Sequence, residues 1–125
     1  MSDTGKKYDG NKVSISIVPL DCIEKIAEVM EFGAVKYSLY NYLKVVPLFF
    51  RYMSAFNRHA LKRFIYGEKY DMESGLLHTA HMATCALFIL HRDILSGDSL
   101  EIDSDEDIEK YLSLKIERYI ADTKK

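Results

Sequence analysis

The chain has 125 residues, 48% of them apolar, a formal net charge of -2 and two cysteines. That length favours one domain (1–125) with a real core, and so small a net charge excludes bulk attraction to nucleic acid or an anionic membrane. Cys22 and Cys85 have no paired spacing, no apolar run is long enough to span a bilayer, and no signal peptide precedes the domain, so a reduced, cytoplasmic protein is expected.

Residues 1–7 are polar and expected to be mobile. After the Asp9-Gly10 turn signal, "KVSISIVP" alternates apolar and polar residues, which predicts an extended segment or short edge strand stopped by Pro19. Asp21 and Glu24 open a first helix whose apolar positions are Ile23, Ile26, Ala27 and Met30, with Gly33 as its C-cap or a break. "AVKYSLYNYLKVVP" is a tyrosine-rich connection. The second helix, "LFFRYMSAFNRHALKRFIYG", has an apolar face of Phe49, Met53, Phe56, Ala60 and Phe64 and a basic face of Arg51, Arg58 and Lys62. Asp71 to Ser74 would cap a third, central helix running to about Leu95, with Leu76, Ala80, Ala83, Leu87 and Leu90 as its core stripe. The stretch "SGDSLEIDSDED" reads as an acidic, flexible linker over 96–104 that runs into the acids opening the next helix. A last helix over 105–121 begins with acids and ends with lysines, which suits its macrodipole. No segment is strong enough to build a sheet. The fold class is therefore all-α, an antiparallel bundle of about four helices with an extended N-terminal segment and a core over 8–95.

The chemistry concentrates in the third helix. His78, His81 and Cys85 lie within about 60° of one another on a helix of roughly 100° per residue. Imidazoles there can ligate a first-row metal, or be core groups each donating a hydrogen bond. Cys85 reads more simply as a small buried hydrophobe. The short connection should bring His59 beside His78 or His81, with Glu68, Asp71 and Glu73 at the same end. Mixed histidine and carboxylate sets with open positions hold catalytic metals, although Asp71 and Glu73 also suit a helix N-terminus on electrostatic grounds alone. Arg51, Arg58 and Lys62, with Lys36 and Lys12, are the phosphate candidates, set against a merely solvated helix face. Glu24, Glu28 and Glu31 could bind Mg²⁺ but read as a solvent face, being opposite the core pattern. Tyr37, Tyr40 and Tyr42 could stack on a nucleobase or pack half-buried.

The stretches "DGNKVSISIVP", "EFGAVKYSLYN" and "RHALKRFIYGEKYDMESGLLHTAHMA" together resemble the N-terminal domain of phage dATP/dGTP diphosphohydrolases, an all-α family related to MazG-like nucleotide pyrophosphohydrolases. The resemblance covers about residues 8–92. Asp9 and Lys12 match its opening motif, Gly33 to Tyr37 its G-A-x-K-Y segment, Arg58 and His59 its R-H pair, and Asp71 to His81 its D-x-E-S-G-x-x-H-x-x-H block. That last block is the specific one.

The resemblance implies cleavage of a nucleoside triphosphate, a purine one, to monophosphate and pyrophosphate with a divalent metal. Metal ligands would be His59, His78 and His81; Asp71 and Glu73 would be catalytic; Lys12, Lys36, Tyr37, Asn41, Arg58 and Lys62 would bind the nucleotide. His78-x-x-His81 stands where MazG-like enzymes carry E-x-x-D, which favours Mn²⁺ or another first-row metal over plain Mg²⁺. Tyr42 replaces a usual Trp, and Cys85 a usual Asn. These departures leave open a phage-type protein that sequesters a nucleotide signal of the host without cutting it, or a structural protein that keeps only the fold. If phage-encoded, the chain would act in the host cytoplasm. The thin, apolar bundle is expected to pair with another copy, with neither membrane nor nucleic acid as partner.

Overall fold

The structure, a computed structural model, describes residues 5–124; residues 1–4 of the expected mobile stretch, and Lys125, lie outside it. Its helices are α1 (Leu20–Lys36), α2 (Leu48–Ala60), α3 (His78–Leu95) and α4 (Asp105–Thr123), and there is no strand among the described residues beyond the isolated bridge of Tyr70 with Leu77. The fold is all-α. Both α1 and α2 pack on α3, α2 the more extensively. The α2–α3 pair is antiparallel: Tyr52 meets Phe88 at 5.1 Å between ring centroids, while His59, further along α2, meets His78, further back on α3.

Several local expectations are corrected. The segment 12–19 is not a strand; Ile15–Ile17 forms a 3₁₀ turn whose side chains are exposed, since alternation needs a sheet to dock on. Gly33 does not end α1, which continues to Lys36: the glycine is not among those at positive φ, and the capping bond comes only at Tyr37, whose N–H reaches Gly33 O. α2 ends as an α-helix at Ala60 and widens into a π-helical turn, Leu61–Ile65. α3 starts at His78, not at Asp71 to Ser74, because those residues spend their hydrogen bonds on a loop of their own.

The core is small and half polar. Val29, Tyr42, Pro47, Leu48, Ala80 and Cys85 are its buried apolar members; Asp71, His78, His81 and Thr84 are buried beside them. The expected stripe of α3 is rotated from the true inner face: its Ala80 is buried and its Leu76 and Leu87 half-buried, but Ala83 is exposed and Leu90 is 58% exposed, whereas His78 is fully buried. α3 is apolar nearly all round, so apolarity alone cannot choose its inner face. The choice falls to groups that need partners, which only α2 and the loop before α3 can supply, and to Ala80 and Cys85, small enough for α2 to approach.

The 96–104 segment is also tied down. Asp103 accepts the backbone N–H groups of Phe49 (3.3 Å) and Phe50 (2.6 Å) and pairs with Arg92 at 3.1 Å. Pro47, the residue before α2, has no side-chain acceptor, so a residue far along the chain caps this helix instead. Ser104 in turn caps α4 through Asp107 N–H.

Candidate functional site

The site forms where α2 gives way to α3. His59 sits one residue before the end of α2. The π-helical turn, closed by Tyr66 N–H to Leu61 O at 3.1 Å, swings the chain wide; such turns recur at functional sites. Gly67 and Gly75, both at φ +73°, make the reversals that return the chain to α3. Between them the loop is held by its own bonds: His78 N–H to Lys69 O, Asp71 N–H to Leu76 O, and Ser74 N–H to Asp71 Oδ2 at 2.8 Å. Asp71 is thereby fixed against the first turn of α3.

One ring nitrogen each of His59 and His78 and a carboxylate oxygen of Asp71 lie within 4.8 Å of one another. The Nδ1 atoms of His59 and His78 are 2.8 Å apart. His78 Nε2 is buried without a hydrogen bond, 3.5 Å from Glu68 Oε2. His81 is placed differently. Its Nε2 is 2.7 Å from Ser74 Oγ and 3.9 Å from Asp71 Oδ2, and its ring stacks on His59 at 4.4 Å and 7°. Phe32 of α1 closes over it edge-on.

Burial, then His81, push the His59 pKa down to about 4, against the opposing pull of Asp71. Burial also lowers His81. Burial would raise Asp71, but the two hydrogen bonds from Ser74, with His81 and His59, hold it below its ordinary value. At neutral pH His59 and His81 are therefore neutral and Asp71 is ionised, the forms that ligate metals. A buried donor atom lacking a partner beside a mixed nitrogen and oxygen set fits a first-row cation.

A cleft of about 440 Å³ opens from this cluster between α1, α2 and α3. His59, His81, Asp71 and Glu73 line it, as do Lys36, Tyr37, Asn41, Arg58 and Lys62. Cations thus outnumber acids on its walls, which suits a polyanion. Lys36 Nζ lies 2.6 Å from Glu73 Oε1, a bond that raises the Lys36 pKa and ties the end of α1 to the loop. Lys12, by contrast, is exposed on the N-terminal stretch and does not line the cleft. Glu28 bonds Lys25 at 3.2 Å, and neither Glu24, Glu28 nor Glu31 lines the cleft. Tyr42 is buried against Phe88 (4.0 Å, 9°) and bonded to His91, which leaves Tyr37 and Tyr40 as the exposed rings of that connection. Burial pushes the Cys85 thiol up to about 11, the behaviour of a packing residue rather than of a thiolate ligand.

Sequence reasoning missed three contributors. Ser74 was visible only as a helix cap, yet it holds both Asp71 and His81. Tyr52, raised to about 12 by burial, and Tyr111 of α4 also line the cleft. No spacing signal points to Tyr111.

The family model described as dATP/dGTP diphosphohydrolase, N-terminal, matches residues 2–99. A dATP/dGTP diphosphohydrolase of Salmonella phage PMBT28 is 34% identical over 88 residues, which is 69% of this chain and 29% of the phage protein. The chain thus spans under a third of that relative's length. No solved structure matches it. The matched family residues include α1, α2, α3 and the whole histidine cluster, and stop before α4.

Proposed function

The chain belongs to the dATP/dGTP diphosphohydrolase N-terminal family, and on that premise we propose that its cleft hydrolyses a purine (deoxy)nucleoside triphosphate to monophosphate and pyrophosphate with a divalent metal. The observation that carries this reading is the convergence of His59, Asp71 and His78 within 4.8 Å at the end of a cation-lined cleft. His59, Asp71 and His78 hold the metal, Mn²⁺ or another first-row ion; Mg²⁺ is the weaker match for two imidazoles. Bound there, such an ion supplies charge neutralisation of the phosphates and acidifies water. His81 acts through its neighbours, keeping Asp71 and the His59 ring in place by its contacts to Ser74 and to that ring.

Arg58 and Lys62 take the phosphate chain, Arg58 with a planar donor fork. Glu73, bridged to Lys36 at the rim, orients the attacking water and accepts its proton. Water oxygen bonds to the α-phosphorus, the bond to the bridging oxygen breaks, and Lys36 and Arg58 stabilise the charge gained by pyrophosphate. Tyr37 and Asn41 face the nucleoside. The exposed outer side of α3, with Leu90 and Ile94, is covered by a second copy of the chain.

The test is a panel of purine and pyrimidine triphosphates, ribo- and deoxy-, with Mg²⁺, Mn²⁺, Co²⁺ or Zn²⁺ and resolution of the products. Pyrophosphate with a purine monophosphate in a metal-dependent reaction is the expected result. Release of intact nucleotide on heat denaturation, with no turnover under any metal, would replace hydrolysis by sequestration.

A further inference from the structure

α4 lies wholly beyond the family match, which ends at residue 99, yet it reaches the cleft. Asp103, its side chain 4% exposed, fixes the start of α4 over the first turn of α2 through Phe49, Phe50 and Arg92. Two turns on, the Tyr111 ring packs against Phe50 at 6.3 Å, and the Arg51 guanidinium lies over its face at 4.7 Å. Tyr111 and Arg51 both line the cleft that contains His59. Arg51 and His59 are eight residues apart on α2, a rise of about 12 Å. The cleft therefore has a metal-type end and, one nucleotide length away, an end with an aromatic face and a guanidinium.

We infer that Tyr111 and Arg51 form the nucleobase subsite, so that α4 completes the site within one chain and sets its choice between guanine and adenine. The inference rests on the nucleotide reading above and adds the residues that read the base. The Arg51 guanidinium covers part of one face of the Tyr111 ring, and Lys115 Nζ lies 5.4 Å from its centroid; a base stacked on that face beside the guanidinium meets its in-plane donors. One Arg51 donor, Nη1, is bonded to Val46 O at 3.3 Å, which leaves other guanidinium donors free to point along the cleft. Arginine has no acceptor. It suits the O6 and N7 acceptors of guanine, while the exocyclic amine of adenine presents a donor at the place of O6. The tyrosines of the α1–α2 connection then need only cover the sugar and the open side.

The experiment uses the full chain with Mn²⁺ and two probes: a dGTP analogue with nitrogen bridging the α- and β-phosphorus atoms, and inorganic tripolyphosphate, which has no base. Tyr111→Ala should weaken the dGTP analogue about 5- to 100-fold by calorimetry and leave tripolyphosphate unchanged. Tyr111→Phe, which keeps the ring, should bind as the parent does. Arg51→Met should shrink the preference for the dGTP analogue over its dATP counterpart by about 5-fold or more. Equal losses on both probes in Tyr111→Ala would make α4 a mere prop of the fold and overturn the inference, as would unchanged binding of the nucleotide. A parent chain that binds neither probe, or only tripolyphosphate, would instead overturn the nucleotide reading itself.

Discussion

On the side of α3 that faces α1 and α2, His78 is 0% exposed, Thr84 2% and His81 9%; on the opposite side Leu90 and Ile94 are 58% and 66% exposed. Ordinary burial puts leucine inside and histidine at the surface. The reversal shows two different pressures on one helix. The inner face is ordered by specific partners: His59, Ser74, Asp71 and the Ala80 carbonyl that receives the Thr84 hydroxyl. Each such group would be costly to bury without its mate, so the inner face is fixed as a set. The outer face has no such constraint and offers only area.

The sharpest way to break the comparison is to remove the partners. His59→Ala with His78→Ala should abolish metal retention in the purified protein and lower turnover by more than about 100-fold, beyond the effect of losing an outer supporting residue. Helix content by circular dichroism should persist, since α2 and α3 keep their other contacts. If that double variant loses its helices, His59→Gln alone, at a half-buried position, provides the same readout. Retention of as much metal as the parent would show that the inner face is a structural hydrogen-bond set and nothing more.

Much of this face was legible in the sequence, for a definite reason. D-M-E-S-G-L-L-H-T-A-H puts its chemistry within eleven positions, and a short connection to α2 leaves His59 few places to go. The helix order and the all-α class were equally plain, because each apolar segment is separated from the next by Gly, Pro or an acidic run. The rotation of α3 was not, because an almost uniformly apolar helix has no stripe to read. The anchoring of α4 was hidden for another reason: Asp103 caps α2 across more than fifty residues, and an acid in an acidic linker looks like any other. Lys36 and Glu73, read as separate roles, are bonded to each other, a pairing that no local pattern carries.

The outer face offers a smaller but independent test. Burying a leucine or isoleucine contributes about 1.5–3 kcal/mol at most, before the cost of ordering the interface. Leu90→Glu with Ile94→Glu should therefore weaken association between copies by roughly 100-fold or more while leaving metal binding untouched. Light scattering of the parent and the variant over a concentration series measures this. A parent that is monomeric throughout would return these leucines and isoleucines to scattered surface residues. A variant that loses its metal would mean that the two faces are not independent.

The mildest test uses acid. His59 titrates near pH 4 in the folded chain, and His81 is lowered from its ordinary value, both through burial. In the unfolded chain both take protons near pH 6.5. Between about pH 6.5 and 4 the unfolded state thus binds more protons, and linkage makes stability fall as pH falls through that window. Above it these histidines are neutral in both states and contribute no slope. Asp71, held below its ordinary value, adds its own loss only further down, once the pH enters the range where an unfolded aspartate protonates. Leu90 and Ile94 carry no charge, so replacing His59 isolates the inner-face share of the slope. Urea midpoints of chelator-treated protein at steps from pH 7.5 to 4.5 should decline below about 6.5, and His59→Gln should flatten part of that decline. A parent with no slope there would mean that water reaches the histidines freely, and the inner face would then be wet rather than sealed by its partners.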